Sequence, residues 1–264
     1  RKGKSLRFSG KSIRVFEKGL LEGRKWQSGC FAQDPLGDWW LCPAVTYATT
    51  QSTAPRREVG IDLGLKTTAT TSEGETLEAG HFYRSIEAKI AQAQRRGHKR
   101  QVKRLHRTAA RRRKEALHRF SRKIVDTFQT IVIGDVSSLK LAKTRMAKSV
   151  LDAGWGILKT QLQNKGQQAG RSVIIVNERN TTRTCSSCRS LTGPSGLDML
   201  VVRSWICSEC GVTHDRDVNA ARNILFAGRS SPSVCGNKPW PLYAPPSHAL
   251  SVREAGISAL TAAA

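Results

Sequence analysis

The sequence holds 264 residues, with 44 Lys and Arg against 20 Asp and Glu, a formal net charge of +24. That length allows one large domain or two smaller ones around a real apolar core. The charge excess points to a polyanionic partner, with nucleic acid ahead of a membrane surface. No run of about 18 apolar residues is long enough to span a bilayer, and the basic start RKGKSLRFSG lacks the apolar stretch of a signal peptide. A membrane-surface role would need a lipidation motif or a bulky amphipathic helix, and neither is present. Of seven cysteines, four fall in two CxxC pairs, while Cys30, Cys42 and Cys235 stand alone. Paired spacing without a secretory signal favours reduced, metal-binding thiols in a cytoplasm. The chain begins with Arg1 rather than Met, so a preceding segment is expected.

In chain order, residues 1–55 read as short strands and turns, and 51–55 as a linker. REVGIDLGLKTTATTSEGETLEAGHF predicts two or three antiparallel strands with a turn at 72–74. From about Ile86 to Asp126 the period turns helical, with Val102, Leu105, Ala109, Leu117, Phe120 and Ile124 at three- and four-residue steps. Between Arg95 and Lys123 there are fourteen Lys or Arg and one acid, Glu115. A solvated face is the bland reading of such a run, but like charges this dense call for phosphates to neutralise them. The candidate contacts are Arg95, Arg96, Lys99, Arg100, Lys103, Arg104, Arg107, Arg111, Arg112 and Arg113. TIVIGDVSS then reads as a buried strand, 149–166 as a helix, RSVIIVNE as a further strand, and the segment from 228 as a weakly ordered tail. The order is that of an α/β fold with a mixed sheet.

Cys185, Cys188, Cys207 and Cys210 have the spacing of a zinc ribbon, with Gly211 placed for a tight turn. Four thiolates fill a tetrahedron and leave no open position, so one Zn²⁺ there is structural, and His214 nearby is not required as a ligand.

Two carboxylates stand out. In VGIDLG, strand alternation puts Val59, Ile61 and Leu63 on the core face and Asp62 on the other between two glycines, with room for an approaching metal and a sugar-phosphate backbone. In HDRDVNAARNIL, Asp217 is placed to cap a helix whose small residues pack closely on a sheet. Asp215 competes with it, or else serves as a turn residue.

GIDLG, IVIGDV, the paired CxxC ribbon and DRDVNAARNI, in that order, resemble the RuvC-type nuclease half of the transposon-encoded TnpB (OrfB) family, relatives of type V CRISPR effectors. The resemblance covers roughly residues 56–226. It implies an RNase H-like (RuvC) mixed sheet with an inserted zinc ribbon, preceded by a partial β-barrel (wedge) module. The implied layout is wedge end 1–55, nuclease domain 56–183 with a basic helical region 84–126, ribbon 184–212, final helix 213–227 and tail 228–264. It also implies RNA-guided cutting of double-stranded DNA in a prokaryotic cytoplasm, near the nucleoid, with a guide RNA of ωRNA or crRNA-like kind and two Mg²⁺ ions. A homodimer is not required. The family's second acid falls on Gly134 here, and Asp135 points to the opposite face of its strand. Glu178, at the end of RSVIIVNE, is the best replacement; otherwise it is an exposed residue paired with Arg179 or Arg183. Asp62, Glu178 and Asp217 would then be the catalytic set, and Trp155 either stacks on a nucleotide or sits in the core. A nuclease-inactive, RNA-guided DNA-binding repressor is the alternative, and a strand-joining transposase a third reading that the ribbon's position argues against.

Overall fold

The computed structural model describes residues 5–8, 10–14, 26–45, 57–136, 141–196 and 201–230. The expected linker at 51–55 and most of the expected tail, from 231 on, lie outside the described residues.

Two antiparallel ribbons come first: β1 (Ser5–Phe8) with β2 (Lys11–Arg14), and β3 (Trp26–Gln33) with β4 (Trp39–Val45). The β3–β4 turn is closed by Asp34, whose Oδ1 accepts from the backbone N–H groups of Leu36 and Asp38 at 2.9 and 3.0 Å. In the pairing register Cys30 stands opposite Cys42, both as exposed free thiols. These two cysteines are far apart in sequence, and only the register brings them together.

A five-stranded mixed sheet follows. Its members are β5 (Glu58–Asp62), β6 (Thr67–Thr71), β7 (Thr76–Glu78), β8 (Thr130–Gly134) and β9 (Ser172–Val176), in the order β7-β6-β5-β8-β9. β5, β8 and β9 run parallel, and β6 and β7 continue antiparallel from β5. Parallel neighbours need long crossovers. The first carries α1 (Glu87–Arg95) and α2 (Lys99–Thr127); the second carries α3 (Ala147–Ala153) and α4 (Trp155–Gln168). α5 (Arg216–Ser230) ends the described chain.

One face of the sheet packs Val59, Ile61, Ile131 and Ile133 against Leu117, Phe120 and Ile124 of α2 and Leu158 and Leu162 of α4. Most of these side chains are fully buried, each adding about 1.5–3 kcal/mol of transfer free energy. The opposite face packs Val132 and Val176 against Ile224 of α5. Here the alternation read from VGIDLG holds, but the glycine's purpose differs. A Cβ at Gly60 would overlap the Ala221 carbonyl and come within 2.8 Å of the Leu225 nitrogen. The space beside Gly60 is therefore occupied by α5 and receives no ligand. The same close approach seats the first turn of α5 near the end of β5.

Two helices expected as single runs are broken. α1 and α2 part at a turn through Gly97, and the segment expected as one helix over 149–166 divides at Gly154, whose φ of 71° is left-handed. A Cβ there would press on Arg113 and Leu117 of α2, so glycine serves both the backbone conformation and the packing. α5 extends to Ser230, past the boundary expected at 227.

Candidate functional site

The C-terminal ends of parallel strands are where an α/β sheet leaves side chains free for chemistry. Asp62 is the last residue of β5, and Glu178 lies two residues beyond β9. Asp217 sits in the first turn of α5. All three are half-buried. Their electrostatics tie them together: burial first, then the charges of Glu178 and Asp217, push the Asp62 carboxyl well above the usual carboxylate range, while Arg216 pulls it down. Burial raises Glu178 to about 7, against the pull of Lys159 and with a push from Asp135. Glu178 Oε1 is buried and has no hydrogen-bond partner among the described residues. A carboxylate oxygen in that condition is costly unless a proton or a cation meets it.

Gly134 explains how Glu178 fits. A Cβ on residue 134 would stand 2.5 Å from Glu178 Cδ and 2.6 Å from Cγ, and closer still to Oε1. Glu178 thus fills the volume that a side chain at 134 would take. Asp135, the neighbouring acid, is 65% exposed and held by Lys159 Nζ at 2.8 Å. Its charge raises the Glu178 carboxyl.

The expected cap of α5 is corrected. Asp215, not Asp217, caps the helix: its Oδ1 accepts from the N–H groups of Asp217 and Val218 at 3.0 and 2.9 Å. With capping done by Asp215, the Asp217 carboxylate is free to face Asp62. Its one described partner is Arg203, 3.4 Å away from both oxygens.

The four cysteines converge. Their sulfurs lie within 4.8 Å of one another, with Cys185–Cys210 and Cys188–Cys207 at 3.6 Å. Thiolates about 2.3 Å from a zinc ion stand about 3.8 Å apart along a tetrahedron's edges, so this group can hold such a metal. The two CxxC turns share one geometry. The N–H of Arg189 reaches Cys185 O at 3.0 Å, and that of Gly211 reaches Cys207 O at 2.9 Å, with φ of 69° and 70°. Arg189 bears a left-handed conformation without being glycine, and its guanidinium is fixed by the Phe226 ring at 3.6 Å and Asn223 Oδ1 at 2.7 Å. The Ser190 and Thr192 hydroxyls bring the Cys207 thiol down to about 5. At Cys210 the Val212 N–H pulls down, but burial and the neighbouring thiols raise it to about 12. Four thiols this close cannot all ionise without a cation among them. His214, fully buried, places Nε2 3.0 Å from Cys185 Sγ and supports that sulfur without joining the group of four.

Sequence reasoning missed what holds this insertion in place. The amides of Asn219 and Asn223 on α5 both donate to Thr181 O and Thr184 O, at 2.6 to 3.4 Å, and Asn219 Oδ1 accepts from Ser186 N–H at 2.9 Å. The signal was present in their four-residue spacing, which puts both on one helix face.

Of the expected nucleic-acid contacts, Arg95, Arg96, Lys99, Arg100, Lys103, Arg104, Arg111 and Arg112 are exposed along α1 and α2. Arg107 is exposed but pairs with Asp34 at 2.8 Å and with Asp38, tying the β3–β4 turn to α2. Arg113 turns inward to the buried Asp152, which also accepts from Tyr83 N–H. Trp155 is corrected: it is 2% exposed within the main core and donates to Gly64 O at 3.2 Å, so no base can stack on it. Among the described residues no helix is long and apolar enough to cross a membrane.

The described chain thus combines a mixed sheet, acids at its strand ends, and a four-cysteine insertion able to hold a metal, placed ahead of the last described helix. A family model described as "Probable transposase" (OrfB_IS605) matches residues 42–145, and one described as "Cas12f1-like, TNB domain" matches residues 155–224. By these two models and by its relatives, the chain is similar to the TnpB (OrfB) family. A Streptomyces pristinaespiralis protein provisionally named RNA-guided DNA endonuclease is 33% identical over 232 residues, 83% of this chain and 56% of that protein. InsQ of Escherichia coli (strain K12), with the same provisional name, is 28% identical over 65% of this chain and 49% of its own length. The chain spans about half the length of these curated relatives. A solved CRISPR-Cas12f ternary complex shares the fold, with a TM-score of 0.50 at 20% identity over 72% of this chain and 42% of that one.

Proposed function

We propose that this chain is the nuclease half of an RNA-guided DNA endonuclease of transposon origin, with an RNase H-like (RuvC) sheet and a wedge module represented by its two β-ribbons. Its partners are a guide RNA and double-stranded DNA. Asp62, Glu178 and Asp217 hold two Mg²⁺ ions, and Cys185, Cys188, Cys207 and Cys210 hold one Zn²⁺. The observation that carries the reading is the interlock of Glu178 with Gly134 beside an Asp62 that feels both other acids. The second acid has changed its place in the sequence while keeping its place beside Asp62, so the nuclease reading is favoured over an inactive binder.

The fit to divalent cations rests on the donor set: three hard oxygen ligands, crowded enough to push the Asp62 carboxyl well above its usual range, with one oxygen of Glu178 buried and unpartnered among the described residues. Such ions, when bound, supply an activated water and stabilise the leaving oxygen of a phosphodiester. The chain's own part is positional. β5 fixes Asp62, the Gly134 space fixes Glu178, and the Asp215 cap fixes the turn bearing Asp217. Arg203, 3.4 Å from Asp217, is the group with which a bound cation would compete. The exposed cations of α1 and α2 grip the guide–target duplex by its backbone, while base pairing supplies the sequence.

The test is DNA cleavage by the full chain with its co-purified RNA and a matched plasmid in Mg²⁺. Asp62→Ala and Glu178→Ala should each lower the rate by at least about a hundredfold. Cleavage that persists without Glu178 removes that residue from the site. DNA binding with no cleavage by the wild type identifies a repressor.

A further inference from the structure

α4 runs from Trp155, bonded near the end of β5, to Gly166, which packs on Val173 at the start of β9. Its second half therefore lies toward the strand ends opposite the three carboxylates. There α2 and α4 enclose a groove of about 700 Å³. The floor is polar and buried: Ser121 is fully enclosed, and Gln161 and Lys165, one turn apart on α4, are each 8% exposed. Lys165 Nζ donates to His118 O and Ser121 Oγ, both at 2.7 Å, and Ser121 Oγ lies 3.0 Å from Gln161 Oε1. An ammonium has three protons, so one remains beyond these two acceptors. Gln161 Nε2 is buried with no partner among the described residues. An amide donor left unmet in the interior is costly and calls for an acceptor.

The rim is mostly cationic. Arg119, Arg122 and Lys123 line it with the acids Glu115 and Asp126. Each acid is engaged with its own helix neighbour, Glu115 to Arg119 at 3.4 Å and Asp126 to Arg122 at 3.5 Å, in exposed pairs that exchange readily. Lys123 reaches away to Glu75 at 2.8 Å. The cations crowd one another: burial, then Arg122, lowers Lys165 while Asp126 pulls it back up, and burial, then Lys165, Lys114 and Arg122, lowers His118. Lys165, which forms no ion pair among the described residues, stands beside the unmatched Gln161 amide, and the two together suit an anion with several acceptor oxygens.

We infer that this groove seats one phosphate of a nucleic-acid backbone, received by Gln161 Nε2 and Lys165 at the floor and by Arg122 at the rim. The inference rests on the nucleic-acid reading of the chain. It adds a contact off the N-terminal basic run, continuous along α2 with the exposed Arg111, Arg112 and Lys114. A backbone phosphate suits an open groove on a long basic helix, where the rest of the strand continues over neighbouring charges.

The test measures binding of a fluorescently labelled RNA of about 20 nucleotides to the full chain across a salt series. Gln161→Leu removes the amide without changing charge, so general electrostatic attraction is untouched. Arg122→Gln, at an exposed position, keeps the test decisive if the buried variant fails to fold. Each should weaken binding by about fivefold or more, the effect of one lost hydrogen bond to a charged group. Arg122→Gln should also make the slope of log K against log salt shallower by about 0.7. Binding within twofold of wild type in both variants overturns the groove alone. No RNA binding by the wild type overturns the nucleic-acid reading with it. Movement of the Gln161 side-chain amide resonance by inorganic phosphate, but not by RNA, marks a small-anion site and also overturns the inference.

Discussion

A methyl group at position 134 would stand 2.5 Å from Glu178 Cδ, so the smallest side chain above glycine already displaces the proposed ligand. Gly134→Ala is therefore expected to lower DNA cleavage by about a hundredfold, the cost of shifting a reacting group by about an ångström. The melting temperature should change little, because the displaced carboxyl can turn toward solvent. Full activity in this variant would separate Glu178 from the chemistry. The raised carboxyls make a second prediction. Glu178, near 7 when folded, holds its proton where an unfolded Glu has lost it, so the metal-free fold loses stability as pH rises from about 4.5 to 7. A divalent ion must displace that proton. Mn²⁺ affinity, followed by calorimetry, should rise with pH up to about 7 and flatten above it; affinity independent of pH between 5.5 and 8 would contradict the arrangement. The placement of Asp62 at a strand end and of Asp217 in a helix's first turn could be read from their motifs, and that of Glu178 from the end of RSVIIVNE. Asp215 as the cap could not, because two acids two residues apart offer the same chemistry and only the turn geometry separates them.

The ribbon and α5 are bound to each other as elements. Asn219, Asn223 and Arg189 join the first CxxC turn and the segment before it to the helix that carries Asp217. The ribbon's own apolar cluster is small, with Trp205 the largest member beside Cys185, Cys207 and Val202. Such a core cannot offset chain entropy alone, and a metal held by the four cysteines would supply the difference. Chelation of zinc should raise hydrogen exchange across residues 185–214 by orders of magnitude, while β5, β8 and β9 stay protected. Loss of protection throughout the sheet would mean that the insertion supports the whole fold. The helical periods were legible in the sequence, but the breaks at Gly97 and Gly154 were not. A single glycine is tolerated inside a helix, and here the contact of Gly154 with α2 decides the matter. Trp155 shows the same limit, since an aromatic residue beside a site reads alike whether it faces a base or the core.

At the scale of the molecule, the mixed sheet followed from buried apolar strands alternating with helical runs, and its parallel core from the long crossovers between them. What no local pattern encodes is the approach of residues 178 and 217 to Asp62, near enough for both charges to act on it, which depends on β9 lying beside β8 and on α5 crossing at Gly60. The central claim is that this approach makes one divalent-metal site. Anomalous diffraction from crystals soaked in Mn²⁺ tests it most directly. Density is expected to bridge the carboxylates of Asp62, Glu178 and Asp217 at about 2.0–2.3 Å from their oxygens. Density that engages Asp62 and Asp217 while Glu178 stays turned away, or that selects Asp135 in its place, would contradict it.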